Sequence, residues 1–365
     1  MGNFFYWDDA TREIVNEMRL IIYGAGMMGN ALYRCLSEAP YNKDIIGFIV
    51  NQKDGNPSNI NYIPVMDLEE GKVYKDCLIL VALHEKNIGP ALEELEKEGF
   101  TNLLPITFDS DAWAHIRGNW IRSMHKDPRV IYQDQVVEKE CRIYVAHSDR
   151  DKQLKEVLPL RSFEQPIQVG AALAQKRIFK ICDDMGDNIS EKNRKYCELT
   201  ALYWMWKHDT SRYVGLCHYR RRFGIDAGQI DRLMGAGADF IVTTPIVNFL
   251  GVKKQYALDH DLFDWETVEE IISLKCPEYE SAMFKVGNGT FYYGYNMFIT
   301  RKEELDRYCK WLFPILEECE KRIGKKQDPY QDRYIGFLAE RLLTVYIEKD
   351  PDLKVAVAEK HYLEK

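Results

Sequence analysis

The sequence predicts an α/β protein in two domains. Three observations carry that prediction. An apolar strand, a glycine turn and a helix follow one another at 20–39. A fresh strand begins at 141–149, after a polar and mixed stretch. Around both, strands alternate with helices, which is the pattern of a sheet whose parallel strands are joined by crossover helices. The chain, at 365 residues, is long enough for two such units.

The first domain starts with LIIYGAGMMGNALYRCLSEA (20–39), in which Gly24, Gly26 and Gly29 fit G-x-G-x-x-G. The first two glycines permit a tight turn and close backbone approach, and the third permits helix–strand packing. DIIGFIVNQ (44–52) and CLILVAL (77–83) are further strands, IGPALEELEKEGF (88–100) is a helix, and TNLLPI (101–106) is a short returning strand. This order predicts a Rossmann-like, doubly wound sheet. Residues 18–108 also resemble the Rossmann-like N-terminal domains that accompany sugar-modifying enzymes such as sialic-acid-type and bacillosamine acetyltransferases. A nicotinamide dinucleotide site wants a carboxylate at the end of the second strand. Asn51 stands there instead. The glycines therefore make either a nucleotide-binding turn or a turn alone. A helix near 111–124 leads into a linker, with the boundary near 135.

Composition narrows the function classes. Hydrophobic residues make up 46% and charged residues 29%, an ordinary globular balance. The net charge of -8 argues against a general nucleic-acid binder. Nine cysteines form no C-x-x-C pair, which disfavours a structural zinc site and suits a reducing compartment. The N-terminus lacks a signal-peptide pattern, and no run reaches the ~18 apolar residues of a membrane span. The expectation is a cytoplasmic protein, at most peripheral to the inner face of a membrane. Lys253-Lys254 and Lys325-Lys326 are the patches that would meet anionic headgroups.

In the second domain CRIYVAHSD ends in His147, Ser148 and Asp149, and ligands of open α/β sheets bind at such carboxyl ends. PIQVGAAL (166–173) carries Gly170 and small residues that permit close approach. Asp183, Asp184 and Asp187 fall within five positions, which suits oxygen ligation of a divalent cation. The reading preferred on spacing is a solvated turn, with Asn188 or Ser190 capping the next helix. Leu199, Leu202, Tyr203 and Trp206 form a helical stripe, read as core, with Glu198 beside it at the sheet edge. YVGLCHYRRRF (213–223) begins as a buried strand and ends in His218, Arg220, Arg221 and Arg222. A planar, permanently charged fork suits phosphate oxygens, so a diphosphate would explain fixed charge at a strand end. The alternative is a set of surface arginines paired with acidic residues. Residues 287–313 read as glycine loop, strand and helix. There Tyr293, Tyr295 and Asn296 suit sugar hydroxyls, though aromatics are also ordinary strand formers. From Asp332 onward, Ile335, Leu338, Leu342 and Val345 predict a helix packed on the sheet.

PIQVGAAL, DDMGDNISEKN, YCELTALYWMWK, YVGLCHYRRRF, YGYNMFITRKEELDRYCKWLF and DRYIGFLAERLLTVYI occur in that order across 141–345. This stretch resembles the catalytic domain of a family of bacterial capsular and exopolysaccharide glycosyltransferases, long catalogued as a domain of unknown function and similar to GT-A enzymes. The resemblance implies a C-terminal GT-A-like mixed α/β domain over 136–365, behind a Rossmann-like domain and linker over 1–135. It implies a nucleotide-diphosphate sugar donor, a UDP-sugar with galactofuranose or galactose as the family's flavour, and a glycan or lipid-linked acceptor. GT-A enzymes place Asp-x-Asp with a metal where this chain has Cys217-His218-Tyr219, so the arginines would supply the charge. Metal dependence, with Mn or Mg as the metals, is left open. The implied donor site is His147, Asp149, Gly170, Asp187, Asn188, Glu198, His218, Arg220 and Arg221, with Tyr293, Tyr295 and Asn296 at the sugar and acceptor. Asp332, chosen over Asp328 and Glu340, would be the base of an inverting transfer, with His218 as the other catalytic residue. The competing functions are an NAD-linked oxidoreductase built on the N-terminal glycines and a non-catalytic nucleotide-sugar-binding protein.

Overall fold

The computed structural model describes residues 8–17, 19–124, 141–154, 158–248 and 250–363. The chain divides into two compact units, with the break between 125 and 126. The linker end expected near 135 lies outside the described residues.

The first unit runs α1 (Asp9–Asn16), β1 (Arg19–Tyr23), α2 (Met27–Ser37), β2 (Asp44–Ile49), β3 (Asn59–Ile60), β4 (Ile63–Met66), α3 (Leu68–Gly71), β5 (Leu78–Ala82), α4 (Glu85–Lys97), β6 (Leu103–Ile106) and α5 (Asp111–Met124). Its six strands are ordered β3-β4-β2-β1-β5-β6. All pair in parallel except the β3–β4 hairpin. β5 and, after its exposed Arg19, β1 are buried and apolar because helices cover both faces of a parallel sheet. Gly24 sits at φ +110°, and a Cβ there would meet the Ala82 carbonyl at 2.8 Å. Gly29 is the tighter case: its Cβ would lie 1.9 Å from the Gly24 carbonyl oxygen, so only hydrogen lets α2 pack on its own turn. α4 starts three residues earlier than the apolar spacing predicts, because the His84 side chain caps it by accepting from the Lys86 amide.

The second unit runs β7 (Cys141–His147), β8 (Glu164–Gln168), α6 (Asn193–Tyr196), α7 (Leu199–His208), β9 (Tyr213–His218), β10 (Arg221–Phe223), α8 (Ala227–Gly235), β11 (Phe240–Thr243), β12 (Ile246–Val247), α9 (Val252–Asp259), α10 (Leu262–Lys275), α11 (Glu280–Asn288), β13 (Phe291–Tyr292), β14 (Phe298–Arg301), α12 (Lys302–Ile323), α13 (Tyr334–Lys349), β15 (Val355–Ala358) and β16 (Lys360–Tyr362). Eight of these strands form one mixed sheet along β15-β11-β14-β9-β10-β16, with β7 paired to β9 and β8 to β7. β7, β8 and β9 are parallel, and β14 runs against β9 and β11. The carboxyl ends of β7, β8, β9, β11 and β15 thus share one edge of the sheet. The amino end of β14 meets them there, and its carboxyl end reaches the opposite edge. Ile143, Val145, Cys217, Ile241 and Ile299 build the core on one face. Gly287, expected in a loop, lies inside α11. Among the described residues no helix is long and apolar enough to cross a membrane.

Candidate functional site

The carboxyl edge of the second sheet gathers most of the residues that the sequence singles out. β9 delivers His218, whose Nε2–H donates to the Tyr295 carbonyl at 2.7 Å and lies 3.8 Å from a Glu198 carboxylate oxygen. Asn296 donates from Nδ2 to the same Glu198 oxygen at 2.6 Å. Tyr295 and Asn296 both have left-handed backbones, at φ 70° and 50°. For a tyrosine this is a strained conformation, costing about 1–3 kcal/mol, that persists only when its surroundings hold it. Here they do. The Tyr293 amide donates to the Thr344 hydroxyl at 2.8 Å, and the Tyr295 amide faces the Glu340 carboxylate. His218 and Glu198 complete the clamp. Asn296 is almost fully buried, and its Oδ1 accepts no hydrogen bond from any described residue.

Electrostatics set the protonation states. Burial drives the His218 pKa below its usual 6.5; Arg221 and Arg220 add to that, while Glu198 and the Tyr295 carbonyl oppose it. The imidazole is neutral at pH 7. Glu340, on α13, is pushed up to about 6, chiefly by burial and further by the Glu198 charge; Arg341, the Tyr295 amide and Arg221 hold it back. Glu340, with its raised proton affinity, next to the Glu198 carboxylate and a neutral histidine forms a usable acid–base set.

The three arginines after His218 have different surroundings. Arg222 is buried and pairs with Glu164 through two hydrogen bonds, while donating to the Leu158 and Pro159 carbonyls at 2.8 and 2.9 Å. It is a structural strut. Arg221 lies 4.4 Å over the Tyr295 ring and 5.5 Å over Tyr362, and those two phenols are 3.0 Å apart. Arg220 lies 5.5 Å over Tyr219.

The remaining predicted donor residues flank this centre. His147 contacts the rings of Phe179 and Tyr219 and bonds to Asp151 at 3.2 Å. Asp149 accepts from the Gln175 amide. Gly170 has φ 61°, and its amide and that of Ala171 donate to Asp183, which also accepts from Ser190. Asp184 pairs with Arg177, Asp187 with Tyr203 and Lys207, and Asn188 bonds to its own loop. Asp187 is well exposed and faces α7 rather than the His218 cluster. Tyr293 is wholly buried. Asp332 accepts from the Lys326 amide at 2.8 Å and so closes the loop before α13. Lys326 itself pairs with Asp261 and Asp264, and Lys253 with Glu269.

The end of β9 does not fit a divalent cation. It offers one imidazole and no carboxylate of its own, and the Cys217 thiol is buried, which raises its pKa strongly. Among the described residues no three His, Cys, Asp or Glu side chains gather as a metal site. Positive charge at this end comes from arginine.

Sequence reasoning ranked Glu340 behind Asp332 and passed over Arg341, Lys360 and Tyr362. A signal for the first pair was present: YIGFLAERLLTVYI is apolar almost all round, so its lone charged pair, Glu340-Arg341, had to be buried. No comparable signal marks Lys360 or Tyr362, which reach the site through β16.

The first unit holds a separate cleft of about 380 Å³ at the glycine turn. Gly24 and Gly26 line it, as do Asn51 and Glu94, whereas Gly29 serves helix packing. Burial, and then Glu94, raise the pKa of the Tyr23 phenol there.

The mixed α/β fold is that of a glycosyltransferase-like protein. An apo structure of the WbbM bifunctional glycosyltransferase matches with a TM-score of 0.54 and 28% identity, over 62% of this chain and 46% of that one. The chain therefore spans under half the length of that enzyme. Residues 142–351 match the family described as a domain of unknown function, DUF4422, and the chain belongs to that family. No curated protein matches its sequence.

Proposed function

We propose that this protein is a glycosyltransferase that moves a sugar from a nucleotide-diphosphate donor to a glycan or lipid-linked acceptor. A UDP-sugar, with galactose or galactofuranose as candidates, and a role in capsular or exopolysaccharide synthesis are the specific form of the proposal. Residues 136–365 would form the GT-A-like transfer domain and residues 1–135 a Rossmann-like domain. The carrying observation is the pairing of Glu340 and Glu198 with neutral His218 beside Arg220 and Arg221, in a chain similar to a glycosyltransferase.

The chemistry follows from that arrangement. Arg220 and Arg221 bind the donor diphosphate and stabilise the charge that grows on the leaving nucleotide. Glu340 is ionised above about pH 6 and takes the proton of the acceptor hydroxyl. In this role it replaces Asp332, whose carboxylate is engaged by the Lys326 amide. Asn296 Oδ1 is an acceptor held ready for a sugar hydroxyl. His218 positions the Tyr295–Asn296 turn through its Nε2–H. His147, Asp149 and Gly170 lie at the neighbouring strand ends, where the nucleotide would extend.

The test is release of nucleotide diphosphate from a panel of UDP-sugars, with and without Mn²⁺, in the wild type and in Glu340→Gln and Arg221→Ala. Turnover lost in both variants, with donor binding kept in Glu340→Gln, supports the assignment. Wild-type rates in both refute it. The cleft at Gly24 and Gly26 sustains a second reading, nucleotide binding by the first unit. Thermal stabilisation by NAD, abolished by Gly26→Asp, would favour an oxidoreductase.

A further inference from the structure

The second unit carries another cleft, of about 540 Å³, on the edge of the sheet opposite the His218 cluster. Its placement follows from topology. α12 leaves the carboxyl end of β14, and α13 ends just before the amino end of β15; both points lie on that far edge. The volume falls in the ~300–1,000 Å³ range of ligand clefts. From Glu340 to Lys349 along α13 is about 14 Å at 1.5 Å per residue.

Three aromatic rings form its wall. Trp311 stacks on Tyr279 at 4.6 Å and meets Tyr346 at 5.3 Å. The Trp311 indole nitrogen is buried and has no acceptor among the described residues. The rim is basic. Arg307, Lys310 and Lys349 line the cleft, with Lys349 5.5 Å over the Tyr279 ring. Glu304 is paired with Arg307 and accepts from the Tyr346 hydroxyl at 2.7 Å, and Asp350 accepts from the Asp352 amide. Three basic against two acidic side chains line the cleft, an excess of positive charge carried by Lys310 and Lys349, in a chain whose net charge is -8.

We infer that this cleft binds an acidic oligosaccharide at a site separate from sugar transfer. A pyranose ring is apolar on its C–H face and polar at its rim, which matches aromatic faces beside an unused indole N–H. A carboxylate or phosphate substituent on that sugar matches Lys310 and Lys349 on the rim. Choosing a glycan rests partly on the proposed function, because a polymer-building enzyme meets one as acceptor or product. A second contact far from the reacting end would hold a long chain through effective concentration.

The experiment is calorimetric titration of the full chain with a hexasaccharide of alternating glucuronic acid and N-acetylglucosamine. A neutral glucose hexasaccharide and UMP serve as comparison ligands. The acidic hexasaccharide should bind at least tenfold more tightly than the neutral one and weaken as salt rises. Trp311→Ala and the exposed charge reversal Lys310→Glu should each lower its affinity at least tenfold, and Glu340→Gln should not. The Lys310 variant keeps the test valid if removing Trp311 disturbs folding. Equal binding of the neutral ligand, loss in Arg221→Ala but not Lys310→Glu, or UMP competing at the cleft would each overturn the inference. Binding that follows Lys310 without any detectable transfer would leave this site standing and remove the proposed function. Transfer without such binding would do the reverse.

Discussion

Glu340→Gln should make the protein more stable at neutral pH while abolishing transfer. In the folded chain the carboxyl is raised from 4.5 to about 6. A tenfold change in proton affinity is 1.36 kcal/mol, so keeping Glu340 ionised at pH 7.5 costs about 2 kcal/mol of folding stability. The folded state holds this proton more tightly than the unfolded chain. Stability therefore falls as pH rises from 4.5 through about 6, and the cost is complete above that. Glutamine keeps an oxygen to accept from the Tyr295 amide and from Arg341, and it carries no charge. For a domain of this size about 2 kcal/mol corresponds to about 4–8 °C in Tm. Paired thermal melts of wild type and variant at pH 5 and pH 8 measure it. The gap should be wide at pH 8 and much narrower at pH 5, with transfer down ~10²–10⁴-fold. A variant no more stable than wild type at pH 8, or a gap that ignores pH, would refute the assignment of a raised proton affinity to this side chain.

Other consequences follow from the same geometry. Transfer catalysed by Glu340 should rise with pH through about 6, and a pH–rate profile reports the limb. His218 has the opposite linkage. Its folded pKa lies below 6.5, so its contribution is complete above pH 6.5 and is lost as pH falls through the lowered value; His218→Gln should flatten that part of the stability curve. Arg222→Ala removes one of the two arginines that pair with buried Glu164, Arg161 being the other, and should cost about 1–3 kcal/mol in urea unfolding, whereas Arg221→Ala should weaken donor binding and leave the fold intact. Gly29→Ala places a methyl 1.9 Å from a backbone oxygen and should destabilise the first unit by about 1–3 kcal/mol or more, seen in its melt by circular dichroism.

Much of the fold was legible because its signals are local. The strand at 20–23, the glycine turn and the helix after it show their pattern within twenty residues, and the structure has β1, Gly24 and α2 there. The strand beginning at 141 and the helical stripe from Leu199 to Trp206 were legible for the same reason. Short edge strands such as β15 and β16 went unread, since pairing partners far along the chain define them. The site was legible in part. His218, Glu198, Tyr295 and Asn296 were all singled out, but their convergence depends on two consecutive left-handed residues, which no propensity assigns to Tyr295. Glu340 was ranked low because Asp332 matched by position the acidic residue of inverting GT-A enzymes, while Glu340 lies opposite the stripe Ile335, Leu338, Leu342 and Val345 on its helix. In the fold that far side packs as well, against the turn at 293–296.

The run of three arginines shows why residue type alone could not assign roles. Side chains alternate across a strand, so Arg221 and Arg222 in β10 face opposite sides. One side is the interior, where buried Glu164 is shared between Arg222 and Arg161. Four donor contacts from one guanidinium satisfy it and two carbonyls besides, which a lysine could not do. The other side is the ring surface of Tyr295 and Tyr362, which orients Arg221. The two rings hold the guanidinium in place through its face. The core strand ends in fixed charge because its two faces make different demands: one arginine braces the sheet, and its neighbour is held charged beside the turn that Glu340 and His218 clamp.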